Sequence, residues 1–405
     1  MILRPGFNLL LLLAISLTTA WACVWDTDTV ETELQGVPDR RVLISNRWYR
    51  HGIAYYQERI DRLGRKSAKT LDDFDDLAIA YERNQEFDKA LSVLEQKLEQ
   101  LQKTPDPEHL YRYYANYGTV LAHSGRFEEA LAQLERALAL NPSAHFGREE
   151  LQVDLIRYVA AAKKNPELWH THNFLSYAKH PAGLVKKYQA VTPSYHATEV
   201  GEPTKEELEK AYQGTSGMLR FGGREGPELY RALGDISLAQ DHLNIAWYFY
   251  RLALVKKHPA TEEIERAIQG LEDYWVNDPP RQRPTNEQFE KVYENSLKWQ
   301  QAFQLAEAQA LAEGRSPGKP VTLADLISQA DASVPPMDLA PYRVRHPVAS
   351  LPIDPTLPSE PIFKQFAPLL MLLVSACILL AVVYRDIVRG RHLEPPMLDP
   401  ESPAG

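Results

Sequence analysis

His170 and His172, two residues apart in "WHTHNF", are the side chains of this chain best suited by type to hold a metal, with His180 and His196 downstream. Zinc needs three or four converging ligands, and a two-apart pair converges only from an extended strand. These histidines lie in a loop-rich stretch, so surface or hydrogen-bonded roles are the ordinary expectation, and neither a metal nor a cofactor is expected. Asp26 and Asp28, in "CVWDTDTVE", have the type to bind calcium, but the loop lacks the later ligands and the glycine that a calcium loop requires. Asp72, Asp73, Asp75 and Asp76 head an apolar-periodic run, where carboxylates favour the positive end of a helix. "RFGGREG", residues 220–226, lacks the preceding strand of a dinucleotide loop and reads as a turn. The chain contains no G-x-S-x-G, H-E-x-x-H, phosphate loop or C-x-x-C-H. No reaction is legible, and the chain is expected not to be an enzyme.

Charge narrows the partner class. The 405 residues carry 45 Lys and Arg against 54 Asp and Glu, a formal net charge of −9. A nucleic-acid surface needs clustered cations, whereas the lysine pairs here (163–164, 186–187, 256–257) are scattered. With Cys23 and Cys377 the only cysteines, both beside or within apolar runs, no disulfide framework is expected.

The ends suggest a location. Residues 1–22 carry one arginine, a leucine-rich run and then small residues, the pattern of a secretory signal, with Ala20 and Ala22 preceding a cut before Cys23. Cys23 falls where a lipoprotein cysteine would become the mature N-terminus, but bulky Trp21 favours ordinary cleavage, with lipidation the minority expectation. Residues 366–384 are free of charge over nearly the ~20 residues that cross a bilayer core. Arg385, Arg389 and Arg391 follow, against Lys364 before, which orients the short tail (386–405) to the cytoplasm. Between 331 and 362 prolines recur in a segment that favours polyproline-type extension, spanning on the order of 100 Å at ~3.1 Å per residue. It is expected to be a stalk, the alternative being that its first half lies along the domain surface. The transmembrane helix is placed at 363–385 and the extracytoplasmic domain at 23–330.

Between these ends the apolar periodicity is helical, and it repeats. Small residues at Ala78, Gly118 and Gly234 are each followed twelve positions later by an alanine, at Ala90, Ala130 and Ala246. Phe87, Phe127 and Leu243 stand at the ninth position, and Leu94, Leu134 and Tyr250 at the sixteenth. Such spacing predicts two antiparallel helices whose small faces let the backbones approach, stacked on neighbours because one pair cannot bury both faces. Repeats are placed near 71–104, 111–144 and 227–260, with a diverged or excursive stretch at 145–226. Thr204 with Glu207 and Thr285 with Gln288 form capping-box patterns that start further helices, the last expected to cap the array. Trp48, Tyr55 and Tyr56 precede the repeats and are expected to pack on the first of them.

The pattern resembles the tetratricopeptide repeat, most closely in the second copy through Tyr114, Tyr117, Gly118, Leu121, Phe127, Ala130, Leu134, Ala137 and Pro142. The first copy departs at Lys97, where a small residue is usual, and the third at Ser237, where a bulky one is usual. The whole chain also resembles a group of exported, membrane-anchored bacterial tetratricopeptide proteins, through "CVWDTDT", "YYQERIDRL", "NPSAHFGRE" and "GMLRFGG" followed by "ALGD". These resemblances imply an all-α fold, an α-solenoid of stacked helix pairs, and a concave face that holds a protein or peptide partner. Carried over position by position, that face comprises Asp72, Asp75, Ile79, Glu82 and Arg83, then Arg112, Ala115, Thr119, Ala122 and His123, then Glu228, Arg231, Asp235, Leu238 and Ala239. Mixed in charge and without an apolar anchor, it implies polar recognition of modest affinity. The expected function is a membrane-anchored scaffold in the bacterial cell envelope. The alternative is an envelope enzyme or metal-binding protein using residues 170–196. Trp25, Asp26 and Asp28 are expected to dock the N-terminus of the exported part onto the helices.

Overall fold

The computed structural model describes residues 24–29, 40–142, 148–179, 203–222, 225–277, 283–337 and 339–342. Signal pattern, Cys23, His180, His196, the latter part of the stalk, the apolar run at 366–384 and the tail all lie outside these residues. Among the described residues every regular element is helical, and no helix is long and apolar enough to cross a membrane.

Helix α1 (Arg40–Ser45) and α2 (Ile53–Gly64) precede three helix pairs or their equivalents. The first two pairs are α3 (Leu71–Arg83) with α4 (Phe87–Lys103) and α5 (Pro107–His123) with α6 (Phe127–Leu140). Next come α7 (Arg148–Lys164), two short helices α8 (Glu167–Thr171) and α9 (Phe174–Tyr177), and α10 (Lys205–Phe221). The third repeat is α11 (Pro227–Ala239) with α12 (Leu243–Val255), followed by α13 (Thr261–Asn277), α14 (Asn286–Ala312) and α15 (Pro320–Ala332).

Each start and stop has a local cause. Both expected capping boxes form, at Thr204 with Glu207 and Thr285 with Gln288, and a third at Thr70 with Asp73 opens α3. Each repeat turns with one residue at positive φ, Gln85 (64°), Gly125 (84°) or Asp241 (61°). The N–H of the following residue then reaches back to Tyr81 O, Leu121 O or Ser237 O at 2.8–2.9 Å, the bonding of a Schellman cap. Only the second copy uses the residue that takes this conformation without steric cost.

The small positions do what their spacing predicts. A methyl group on Gly118 would stand 2.7 Å from Leu134 Cγ, and one on Gly234 2.5 Å from Tyr250 Cε1, so the sixteenth-position side chain lies directly on the glycine. Helices α2 to α7 pack each on the next, α10 packs on α7 and α11, and the stack continues through α13. Thus α7 and α10 form the diverged pair of the central stretch, and α8 and α9 are its excursion.

The last helices of this α-solenoid carry the largely polar outer face expected of them, but they also close on the first. Helix α14 returns to α1 and α2, and α1 touches α12, so the last helices bridge back to the first. Tyr248 donates to Ile44 O (2.8 Å) and Arg40 to Glu209 (2.9 Å) across that closure. The outer face of the last helices also exposes Leu297, Leu305 and Val321. Nor does the helical body stop at 330: Pro341 and Tyr342 are buried, Asn244 donates to Pro341 O (2.6 Å), and the Tyr342 ring lies edge-on to Tyr248. Two apolar residues, Val334 and Tyr342, draw the first part of the proline-rich segment onto the body.

Gly118→Ala is expected to destabilise the fold by about 1–3 kcal/mol through overpacking, even though alanine favours a helix. Gln85→Gly, relieving the positive φ, is expected to stabilise it by about 0.5–1 kcal/mol. Chemical denaturation followed by far-ultraviolet circular dichroism measures both.

Candidate functional site: a repeat face filled by the chain itself

The face expected to be open is covered. Of its positions Asp72 alone is exposed, Arg83, Arg112 and Ala239 are half-buried, and Asp75, Ile79, Glu82, Ala115, Thr119, Ala122, His123, Glu228, Arg231, Asp235 and Leu238 are buried. The positions expected to hold a partner are instead contacted by other segments of the chain itself.

The first is Val24–Thr29. Trp25 lies against α5, its indole N–H donating to Tyr111 Oη (3.1 Å), its ring edge-on to Tyr111, and the Arg112 guanidinium 5.3 Å from its centroid. Asn116 grips the Trp25 backbone on both sides, Oδ1 accepting its N–H (2.7 Å) and Nδ2 donating to its carbonyl (2.8 Å). Asp26 caps a short turn by accepting from Thr29 N (2.9 Å). Its other oxygen accepts from Arg59 of α2 (2.9 Å), whose second arm donates to Asp28 (2.7 Å). Thr27 gives its N–H and hydroxyl to the two oxygens of Asp76 (2.8 and 3.0 Å). The docking expected of Trp25, Asp26 and Asp28 is therefore present.

The second and third covers come from the central stretch. On α7, Gln152 donates to Thr119 (3.1 Å), and Glu149 accepts from Tyr111. The C-terminal end of α10 offers Phe221 O and Gly222 O to Arg83 (3.2 and 2.7 Å); Arg220 and Phe221 of "RFGGREG" are still helical, and Gly226 is the N-cap of α11. Beneath it Glu82 and His123 pair at 2.7 Å, both fully buried. Over the third repeat, Trp169 O accepts from Arg231, and Asn173 donates to Asp235 (2.7 Å).

Electrostatics distinguish these groups. Burial alone would raise the Asp26 carboxyl, but Arg59, the Thr29 N–H and Arg83 hold it below the usual aspartate value. Asp76 goes the other way, pushed up to about 6 by burial, against Arg59, with Asp26 and Asp28 adding repulsion. One guanidinium thus serves three carboxylates. Lys97, the departure from the repeat pattern, is fully buried 2.6 Å from Asp75, whose second oxygen accepts from Asn116. Burial lowers the pKa of that ammonium and Asp75 opposes the shift. Asp75 and Asp76 accordingly face inward, and only Asp72 and Asp73 serve the helix start as expected of all four.

A cavity of about 340 Å³ lies beside the segment, between Asp26, Asp28 and Thr29 on one side and His51, Tyr56, Arg83 and Arg220 on the other. His51 is oriented there by the buried Glu307, which accepts from its Nδ1 at 2.5 Å and from Gly52 N. Asp72, Asp75 and His109 bring ligand-type atoms within 4.8 Å of one another, but Lys97 and Arg112 already neutralise the two carboxylates. His170 pairs with Glu263 (2.9 Å) and His172 with the Thr171 hydroxyl (2.9 Å), two different partners.

The pairing of small and large positions, the repeated turns and the stacked pairs agree with one outside comparison. Residues 70–143 match the tetratricopeptide repeat family. That match spans α3 to α6, the helices that hold Trp25 and Thr27, and tetratricopeptide repeats are in general protein-binding scaffolds rather than catalysts. No curated protein and no solved structure is significantly similar to the chain.

Asp26→Asn is expected to cost about 3–5 kcal/mol of stability, because it leaves Arg59 buried beside a lost charge. Asp28→Asn, at the half-exposed end of the same pair, is expected to cost less; thermal denaturation ranks them. Asp76 predicts a pH dependence. Its folded carboxyl keeps a proton up to about pH 6, whereas its ordinary value is 3.8, so this group favours folding most below the lower value and its contribution is lost as pH rises through the higher. Asp76→Asn, which retains an acceptor for Thr27 N, should raise stability at pH 7.5 by about 1–3 kcal/mol and flatten the profile between about pH 4 and 6.

Proposed function

We propose that the chain is a scaffold that binds a protein or peptide partner in the bacterial cell envelope, held by a C-terminal membrane helix with its bulk outside the cytoplasm. The observation that carries it is the grip of the matched repeats on a short stretch of chain: Asn116 takes the N–H and carbonyl of Trp25 while Tyr111 takes its side chain. Backbone capture of this kind recognises a peptide independently of which chain presents it. Location rests on the export-type residues 1–22, the charge-free run 366–384 and the arginines that follow it. In this reading residues 343–362 separate the helical body from the membrane. The alternative centred on 170–196 draws little support from His170 and His172, whose ring nitrogens serve Glu263 and Thr171.

Photo-cross-linkers at Asp72 and Arg112, the rim of the segment site, should capture a discrete protein from the membrane fraction of producing cells. A purified body that binds stoichiometric zinc, and loses it on His170→Ala with His172→Ala, would favour the alternative.

A further inference from the structure

We propose that Val24–Thr29 are a removable occupant of the peptide site, and that the partner enters it with the same chemistry: an acidic peptide in which an aromatic residue is followed by Asp, a hydroxyl residue and Asp. This rests on the scaffold reading above and names the partner class for that site.

Every contact that holds the segment is one a separate peptide can make. The indole stands on Tyr111 and under Arg112, and the backbone of the same residue is taken by Asn116. Acids at the first and third positions after it share the two arms of Arg59. The hydroxyl residue between them donates twice to Asp76. Arg59 is 3% exposed, so whatever occupies the site must bring carboxylates, because a buried guanidinium without them carries its full desolvation penalty. That requirement gives the site its selectivity for the acid pair.

One feature makes exchange feasible. The site has an edge and room to extend: the Thr27 to Asp76 bonds are solvent-exposed, and the cavity lined by Asp26, Asp28 and Thr29 continues beside the turn. A ligand longer than six residues therefore has somewhere to go. Occupancy by the chain's own segment lowers the apparent affinity for the partner by the fraction of sites left vacant.

The test uses the full chain in detergent and a fluorescently labelled peptide VWDTDT, the sequence of residues 24–29. Trp25→Ala loosens the chain's own segment and leaves every groove side chain in place. Anisotropy should show the peptide binding this variant about ten-fold or more tighter than the unaltered protein. Adding Asn116→Ala should weaken it about ten-fold, and a peptide with both acids changed to Asn should not bind. Asp28→Asn is the milder variant should Trp25→Ala unfold, and the same order of affinities is expected. Equal binding to the unaltered and loosened proteins, or binding indifferent to Asn116 or to the acids, overturns the proposal. A cross-linked partner that the peptide does not displace overturns it too, while leaving the scaffold reading intact. Peptide binding as described, with no partner captured, supports the site and counts against the scaffold reading.

Discussion

Arg59 is the residue on which the rest of the site depends. It lies on α2 at 3% exposure, and a guanidinium at that depth is tolerated only with carboxylates in hydrogen-bonding reach. Asp76 on α3 stands at 3.9 Å, too far to serve alone, and the two close partners, Asp26 and Asp28, come from outside the helical stack. Arg59 reaches that depth only with the acidic segment seated on it, so the segment that buries the guanidinium also brings the carboxylates it needs. That segment passes over α5, where Asn116 and Tyr111 take hold of Trp25. Burial of one cation and filling of the repeat face are the same event.

A second chain of contacts reaches the same place from the other side. Lys97 occupies a position where the repeat normally keeps a small residue, and it extends to Asp75. Asp75 then accepts from Asn116, fixing the amide whose other atoms hold Trp25. The amide orientation is specified at both ends, as satisfied buried networks tend to be. The irregularity in the repeat pattern thus coincides with the network that holds Trp25.

Much of the architecture was legible from spacing alone. Pairs of small residues twelve apart, with a large one at sixteen, encode the approach of two helices, and Gly118 beneath Leu134 is that code in atoms. Capping boxes announced α10 and α14 because their chemistry is local. The coverage of the repeat face was not legible, because it joins residues separated by 91 positions in one case and 139 in another. Spacing within one helix says which side chains share a face, and nothing about which distant segment lies on it. The closure of α14 on α2 escaped for the same reason. Lys97 and the paired acids of "VWDTDT" were the available signals, but each reads as an exception until Arg59 and Asn116 connect them.

Hydrogen exchange of the full-length protein at the amides of Trp25 and Thr27 tests the central claim most directly, since both are bonded to groove side chains. Exchange slowed to the range of the α3 and α5 amides, and accelerated by Asn116→Ala, is the predicted result. Exchange at the rate of unstructured chain, unchanged by that substitution, would contradict it.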